Sequence, residues 1–178
     1  MKKKFIILLF SILFVYLFLR IFNFYFTTDR EKIADRITLK TAKILKEEKN
    51  LSPIGFGGSM MEDVKIIYVA FTYINDSYNV NEARKLIVYC AEKYINEINN
   101  NKKIRPYLHN YPFKADNLEL DIFFKDQNNL SPPYPNIYFV SLRNGLISYK
   151  VEENDESKLI HKEPFEEAQE IVHKESTF

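Results

Sequence analysis

The sequence predicts an α+β domain of two layers, in which an antiparallel sheet of about four strands carries helices mainly on one face, behind an N-terminal membrane helix. Three observations lead to this class. A long apolar run follows a lysine cluster at the N-terminus, further segments keep the helical period, and several β-branched or aromatic runs have the length of strands. After the apolar run, the order is helix, strand, helix, three strands, helix, with no repeat and no second domain.

Composition and charge exclude several classes of function. The chain has 178 residues, and its 25 lysines and arginines nearly balance its 24 aspartates and glutamates, which gives a formal net charge of +1. The basic residues are scattered among acidic ones, so we expect no nucleic-acid partner. A single cysteine, Cys90, allows no internal disulfide and no metal site that needs two thiolates.

The histidines and the glycine-rich segment indicate neither a metal nor a cofactor. No i, i+4 spacing or paired cysteine typical of a zinc site is found at the three histidines, which are His109, His161 and His173. Gly55-Phe-Gly-Gly58 lacks the following helix and the Gly-Lys-Ser/Thr sequence of a phosphate-binding loop. We interpret it as a flexible or tight-turn loop, and we expect no cofactor.

The N-terminal segment predicts a membrane anchor. Lys2, Lys3 and Lys4 precede an apolar stretch over residues 5–26, which as a helix spans a hydrocarbon layer of about 30 Å. Phe24-Tyr-Phe-Thr-Thr28 contains no small residues suited to cleavage, so we expect an uncleaved signal-anchor, with a cleaved signal peptide or a buried core helix as alternatives. The lysine cluster before the apolar run favours a domain on the extracytoplasmic side of the membrane.

The chain is accordingly divided into three parts. These are an anchor over residues 1–26, an amphipathic juxtamembrane helix over residues 27–50 and an α+β domain over residues 51–178. In the juxtamembrane helix, apolar positions such as Ile33 and Ile37 recur with a helical period among lysine, arginine, glutamate and aspartate.

The middle of the chain predicts a strand followed by a helix. Residues 64–74 are β-branched or aromatic along almost their whole length, which is typical of a central strand. From about Asn81 to Asn99, apolar residues form a wide stripe at the helical period, and Cys90 lies on it. Because burial on such a stripe raises the pKa of a thiol, we interpret Cys90 as structural rather than as a nucleophile.

Three strands follow in the second half of the chain. Residues 118–124 alternate apolar and acidic residues, so we expect Glu119 and Asp121 to be solvated on the outer face. Residues 137–142 and 146–151 flank an Asn-Gly pair, which is a strong hairpin signal because both turn positions need positive φ.

The C-terminal tail predicts a last helix. Pro164 suits a first helical position, and the acidic residues Glu166 and Glu167 suit the positive end of the helix dipole. Apolar residues at helical spacing would pack this helix onto the sheet; they are Phe165, Ala168, Ile171 and Val172.

The connector over residues 104–113 is the candidate binding surface. It is irregular because Pro106 and Pro112 each remove a backbone donor and restrict the preceding residue. It carries four side chains suited to recognising anionic or aromatic groups, and these are Arg105, Tyr107, His109 and Tyr111. In the alternative interpretation the aromatic side chains cover the core while Arg105 pairs with a neighbouring acidic residue.

Part of this region resembles other proteins. The runs Glu82-Ala-Arg-Lys-Leu86, Ile98-Asn99 and Ile104-Arg-Pro-Tyr-Leu108 with Tyr111-Pro-Phe113 are similar to those of a loose group of short, N-terminally anchored bacterial proteins of uncharacterised function. The likeness covers about residues 51–125. It implies a bacterial envelope protein and carries no activity or residue roles with it.

The residues show no set of acid, base and nucleophile. We therefore expect a non-enzymatic, membrane-anchored envelope protein whose exported domain binds another protein or an envelope component. Two alternatives stay open. One is a small exported hydrolase or transferase that uses Cys90 or His109 with an acidic partner, and the other is a cytosol-facing tethered adaptor.

Overall fold

The computed structural model describes residues 13–15, 28–75 and 78–175 of the chain. Within these residues, three long helices and six strands form. In chain order they are α1 (Asp29–Lys49), β1 (Ser52–Ser59), β2 (Ile66–Ile74), α2 (Val80–Asn100), β3 (Leu118–Lys125), β4 (Ile137–Arg143), β5 (Leu146–Glu153), β6 (Glu156–Pro164) and α3 (Phe165–Glu175).

The six strands form one mixed sheet, in which the spatial order follows the chain order from β1 at one edge to β6 at the other. β2 and β3 pair in parallel, and the other neighbouring pairs are antiparallel. The parallel pair arises because α2 crosses between these two strands, and parallel neighbours need such a long connection. The α+β class is therefore confirmed, whereas the expected antiparallel sheet of about four strands is wrong in strand number and in the direction of this pair.

The two strands that were not predicted, β1 and β6, are the edges of the sheet. β1 pairs with β2 although it contains Gly55-Phe-Gly-Gly58, so the segment expected to be a loop is a strand. β6 pairs with β5 although its residues are mainly polar and charged. An edge strand has one neighbour and keeps one side open to water, so it tolerates glycine and charge and lacks the apolar pattern of a central strand.

The central elements form where the residue pattern predicts them. β2, α2, β3 and the β4–β5 hairpin are confirmed, and the last helix forms as α3 from Phe165 onward. In the hairpin turn, Asn144 and Gly145 have φ of 48° and 70°, as this type of turn requires. A Cβ atom on Gly145 would clash with Oδ1 of Asp116, so the turn also needs the absence of a side chain.

Helices α1 and α2 both begin at capping boxes. At α1, the Thr28 side chain accepts from the Glu31 N–H and the Glu31 carboxylate accepts from the Thr28 N–H. Asn79 and Glu82 exchange the same pair of hydrogen bonds at α2. These bonds satisfy N–H groups that the first turn of a helix leaves without a partner.

The three helices pack together against one face of the sheet, with α2 in the middle. α2 contacts α1, α3, β3 and β4. α1 adds four buried apolar side chains to the same core as the strands, and these are Ala34, Ile37, Ala42 and Leu45. The helix expected beside the membrane is thus α1, which packs on the sheet.

The predicted membrane helix needs a correction. Of residues 5–26, the structure describes 13–15, and the rest of the segment lies outside the described residues. No helix within residues 13–15, 28–75 and 78–175 is both long enough and apolar enough to cross a bilayer. The long helices α1, α2 and α3 are amphipathic and bury one side against the core. The expected transmembrane signal-anchor is therefore not found among the described residues.

Candidate functional site

The connector between α2 and β3 is fixed at both ends and in its middle. Ile104 and Phe113 are buried at its two ends. Asn99 of α2 donates from Nδ2 to the Phe113 carbonyl at 2.9 Å and accepts the Phe113 N–H on Oδ1 at 2.8 Å. In the middle, the N–H of Val64 donates to the carbonyl of Tyr107 at 2.7 Å. These bonds hold the backbone that carries the predicted binding residues.

Arg105 and Tyr111 stack on each other at the surface of the connector. The guanidinium carbon of Arg105 lies 4.4 Å from the centroid of the Tyr111 ring, and Nη2 donates to the carbonyl of Asn99 at 3.2 Å. Arg105 is exposed, and Tyr111 is 53% exposed. In the part of the chain that the structure describes, Arg105 makes these contacts without an ion pair to an acidic side chain. Among the described residues, Arg105 therefore does not form the ion pair of the alternative interpretation.

The other two predicted binding residues make different contacts. The Tyr107 side chain is half-buried and packs against the core. His109 lies with Nδ1 2.5 Å from Oδ2 of Asp63, which belongs to the loop between β1 and β2. The structure thus brings Arg105 and Tyr111 together, assigns Tyr107 to packing and pairs His109 with a carboxylate.

Cys90 lies at the centre of the helix layer. It is completely buried on α2, as the apolar stripe predicts. Burial raises the pKa of the Cys90 thiol far above its ordinary value. Because the thiolate is the reactive form of cysteine, this environment does not suit a nucleophile.

Asp121 was expected to be solvated on the outer face of the sheet, and this expectation is wrong. It lies on the side of β3 that faces away from the helices, yet it is only 5% exposed. Nη2 of Arg143 donates to Oδ2 of Asp121 at 2.7 Å, and the Tyr68 hydroxyl donates to the same oxygen at 3.2 Å. Burial raises the pKa of Tyr68, and the Asp121 charge adds to the effect. The alternation within β3 could not reveal this cluster, because its cover comes from β2 and β4.

The cluster around Asp121 has no metal-binding geometry. Glu119 joins it, with Oε2 3.4 Å from Nε of Arg143, and Oδ1 of Asp121 accepts no hydrogen bond from the described residues. Across residues 13–15, 28–75 and 78–175, no group of three or more histidine, cysteine, aspartate or glutamate side chains is arranged to hold a metal ion. The arginine supplies the positive charge that a cation would otherwise bring.

A cleft of about 540 Å³ lies where α2 and α3 meet the end of α1 and the end of β2. Its aromatic lining consists of Tyr73, Tyr78 and Tyr89. Tyr78 stacks on Phe124 with ring centroids 4.4 Å apart and meets the edge of Tyr73 at 5.4 Å. Packing therefore fixes the orientation of these two rings.

Charged side chains also line the cleft. Lys85 pairs with Glu175 across it, with Nζ 2.7 Å from Oε2. Lys49, the last residue of α1, places Nζ 4.5 Å above the centre of the Tyr89 ring. This cleft was not predicted from the sequence, because its residues come from distant parts of the chain. The one local signal is the group of tyrosines on both sides of the start of α2.

Comparisons with known proteins found no match. No family model, no curated protein and no solved structure is significantly similar to the chain. The resemblance of residues 51–125 to short bacterial envelope proteins stays a prediction.

Proposed function

We propose that the domain is a non-catalytic binding domain whose partner is another protein, and that the contact surface centres on Arg105 and Tyr111. The observation that carries this proposal is the exposed stack of the Arg105 guanidinium on the Tyr111 ring, at 4.4 Å. Arginine and tyrosine are enriched at protein interfaces, where a few such residues contribute most of the binding free energy.

The rigidity of the connector supports the same proposal. Side chains that are ordered before binding lose less conformational entropy when a partner arrives. The Arg105 side chain is already restrained by the Asn99 carbonyl and by the Tyr111 ring. The backbone beneath it is held by buried residues at both ends, Ile104 and Phe113. The stack therefore offers a pre-ordered charged and aromatic surface.

Capture experiments with the full-length chain test this function. Wild type, Arg105→Ala and Tyr111→Ala are cross-linked in cells, and the captured proteins are quantified by mass spectrometry. We expect one partner to be lost with both variants. The binding free energy between this partner and purified Arg105→Ala should be weaker by about 1 to 3 kcal/mol than with wild type. The free energy of unfolding should fall by less than about 1 kcal/mol, because an exposed charge contributes little to folding.

Two matched variants control this experiment. Arg36→Ala removes another exposed arginine, from α1, and should leave capture unchanged. Tyr111→Phe keeps the ring under the guanidinium and should retain most of the binding. Capture that is the same for Arg105→Ala and wild type, or an Arg105→Ala protein that does not fold, contradicts the proposal.

A second candidate function is favoured by the pair of His109 and Asp63. A carboxylate 2.5 Å from Nδ1 orients the imidazole and leaves Nε2 for a general-base role in hydrolysis or group transfer. The test is turnover of chromogenic esters by wild type and His109→Gln over a range of pH. Absent turnover, or equal turnover by both proteins, removes this candidate.

The cellular location of the domain stays a prediction from the sequence. Reporter fusions at the C-terminus that are active on one side of a membrane distinguish an extracytoplasmic domain from a cytosol-facing adaptor. A signal from the cytosolic reporter would favour the adaptor and would place the partner of Arg105 in the cytosol.

A further inference from the structure

We infer that the cleft between α2 and α3 is a second binding site, separate from the Arg105 surface, and that it takes the cationic side chain of an arginine or lysine from a peptide. The aromatic lining, the balance of charges and an internal cation that already occupies part of the cleft carry this inference. It does not depend on the function proposed for the connector.

The aromatic lining suits a cation. Ammonium and guanidinium groups are attracted to the faces of tyrosine rings within about 6 Å of the ring centre. Three tyrosines line the cleft, namely Tyr73, Tyr78 and Tyr89. Leu86 and Val172 line it as well and provide apolar contact for the methylene groups of a long basic side chain.

The charges that line the cleft favour the same class of ligand. Carboxylates outnumber lysines, because Glu82, Glu92 and Glu175 line the cleft with Lys49 and Lys85. His173 lines the cleft as well, with Nε2 2.7 Å from Oε1 of Glu92. The charge of Lys85 is matched by Glu175 at 2.7 Å. A carboxylate accepts several hydrogen bonds, so these groups keep acceptor capacity for a ligand. A cationic ligand would lower the excess negative charge, whereas an anion would increase it.

Lys49 already makes a cation–π contact in the cleft. Its Nζ lies 4.5 Å above the Tyr89 ring, inside the range of a favourable cation–π contact. Among the described residues, no carboxylate forms an ion pair with Lys49. Because Lys49 is the last residue of α1 and is exposed, its side chain can move out to solvent. Lys49 therefore acts as an internal competitor for the ligand.

The Tyr89 hydroxyl is held in place by a hydrogen bond to a carboxylate. Its hydroxyl donates to Oε2 of Glu48 at 2.6 Å. This hydrogen bond, with burial and the Glu48 charge, raises the pKa of Tyr89 to about 12. Donation to a carboxylate also increases the electron density of the ring, which strengthens its attraction for a cation.

The size of the cleft fits a side chain from a short peptide segment. Ligand sites in proteins commonly have volumes of about 300 to 1,000 Å³. The cleft, at about 540 Å³, is large enough for one basic side chain together with its neighbouring backbone.

Titrations of the full-length chain followed by NMR test this site. The probes are Nα-acetyl-arginine amide, the citrulline amide as an uncharged ligand of the same shape, and the glutamate amide as an anion. We expect the arginine amide to bind about tenfold more tightly than the citrulline amide. Its affinity should rise several-fold in Lys49→Gln, because the nearer of the two ammonium groups at the Tyr89 ring is gone, while that of Lys93 stays 5.9 Å from the ring centre. Lys46→Gln, in the same helical turn, should behave as wild type.

Tyr89→Leu removes the ring and should abolish the preference for arginine over citrulline. If this variant fails to fold, Lys49→Gln and the series of probes still decide. Equal affinities for arginine and citrulline amides overturn the inference, as does weaker binding of arginine amide by Lys49→Gln. If the glutamate amide binds most tightly, the cleft is an anion site instead. If neither wild type nor Lys49→Gln shows saturable binding, the cleft is not a binding site for basic side chains.

Discussion

Nε of Arg84 in α2 lies 2.8 Å from Oε1 of Glu163 near the end of β6, and only 13% and 5% of the two side chains are exposed. The Tyr149 hydroxyl of β5 donates to the same carboxylate oxygen, and Nη1 of Arg84 donates to Asn81 at 3.1 Å. This network joins the middle helix to the two strands farthest from β1. It therefore connects the helix layer to the half of the sheet that α1 does not cover.

Arg84→Met should lower the free energy of unfolding by about 3 to 5 kcal/mol, because it removes the arginine from the buried Glu163 carboxylate and leaves only Tyr149 and His161 beside it. Urea denaturation at neutral pH measures this loss. Lys158→Met is the matched control, since it breaks the exposed pair of Lys158 and Glu153 and should cost less than about 1 kcal/mol. If both variants lose a similar amount of unfolding free energy, the buried pair of Arg84 and Glu163 is no more important for stability than the exposed pair.

The same pair predicts a dependence of stability on pH. Burial by itself raises the pKa of the Glu163 carboxyl, but hydrogen bonds from Arg84 and Tyr149 outweigh it and hold the pKa below its ordinary value of 4.5. A carboxyl group whose pKa is lowered by folding stabilises the protein fully above its unfolded-state pKa, and this stabilisation is lost as the pH falls through the folded-state pKa.

The free energy of unfolding of wild type should therefore fall below a pH of about 4.5 more steeply than that of Glu163→Gln, which has no proton to gain at this position. Urea denaturation at a series of pH values gives both profiles. Parallel profiles for the two proteins would contradict the lowered pKa of Glu163.

Asn99→Ala should loosen the connector. It removes both hydrogen bonds between the Asn99 amide and the Phe113 backbone, at 2.9 and 2.8 Å, so we expect a loss of about 1 to 3 kcal/mol of unfolding free energy. Hydrogen exchange of the Phe113 N–H should become faster. Asn100→Ala, at the exposed neighbouring position, should change neither quantity. If the Phe113 N–H in Asn99→Ala exchanges as slowly as in wild type, the two hydrogen bonds of Asn99 do not hold this end of the connector.

Cys90 should behave as a structural side chain. Because it is completely buried and burial raises its pKa, a polar thiol reagent should leave it unmodified in the native protein and react after denaturation. Cys90→Ala should cost about 1 kcal/mol, toward the low end of core truncations. Rapid labelling of the native protein would restore the hypothesis of a thiol enzyme.

Local patterns were sufficient for elements whose signals come from adjacent residues. The hairpin turn follows from Asn144-Gly145, because positive φ at both positions is a property of those residues. α2 follows from an apolar stripe at the helical period, and β2 from a β-branched and aromatic run. The irregular, proline-restricted connector was also predicted from its own residues.

Residues whose surroundings come from other segments of the chain were predicted less well. Asp121 was expected in solvent because β3 alternates apolar and acidic residues, yet Arg143 and Tyr68 from the neighbouring strands cover it. Tyr107 was assigned to the binding surface, yet its side chain packs on the core. In both cases the covering groups lie on other segments, and spacing within one segment does not report them.

The sequence by itself determined the α+β class, the central elements and the turn between β4 and β5, because hydrophobic period and backbone preference are properties of short segments. Only the tertiary structure decided that β2 and β3 run parallel, that β1 and β6 complete the sheet, and that three tyrosines from two elements and the segment between them line one cleft. Strand pairing and clefts depend on contacts between residues far apart in the chain, and those contacts form only when the helices and the sheet pack together.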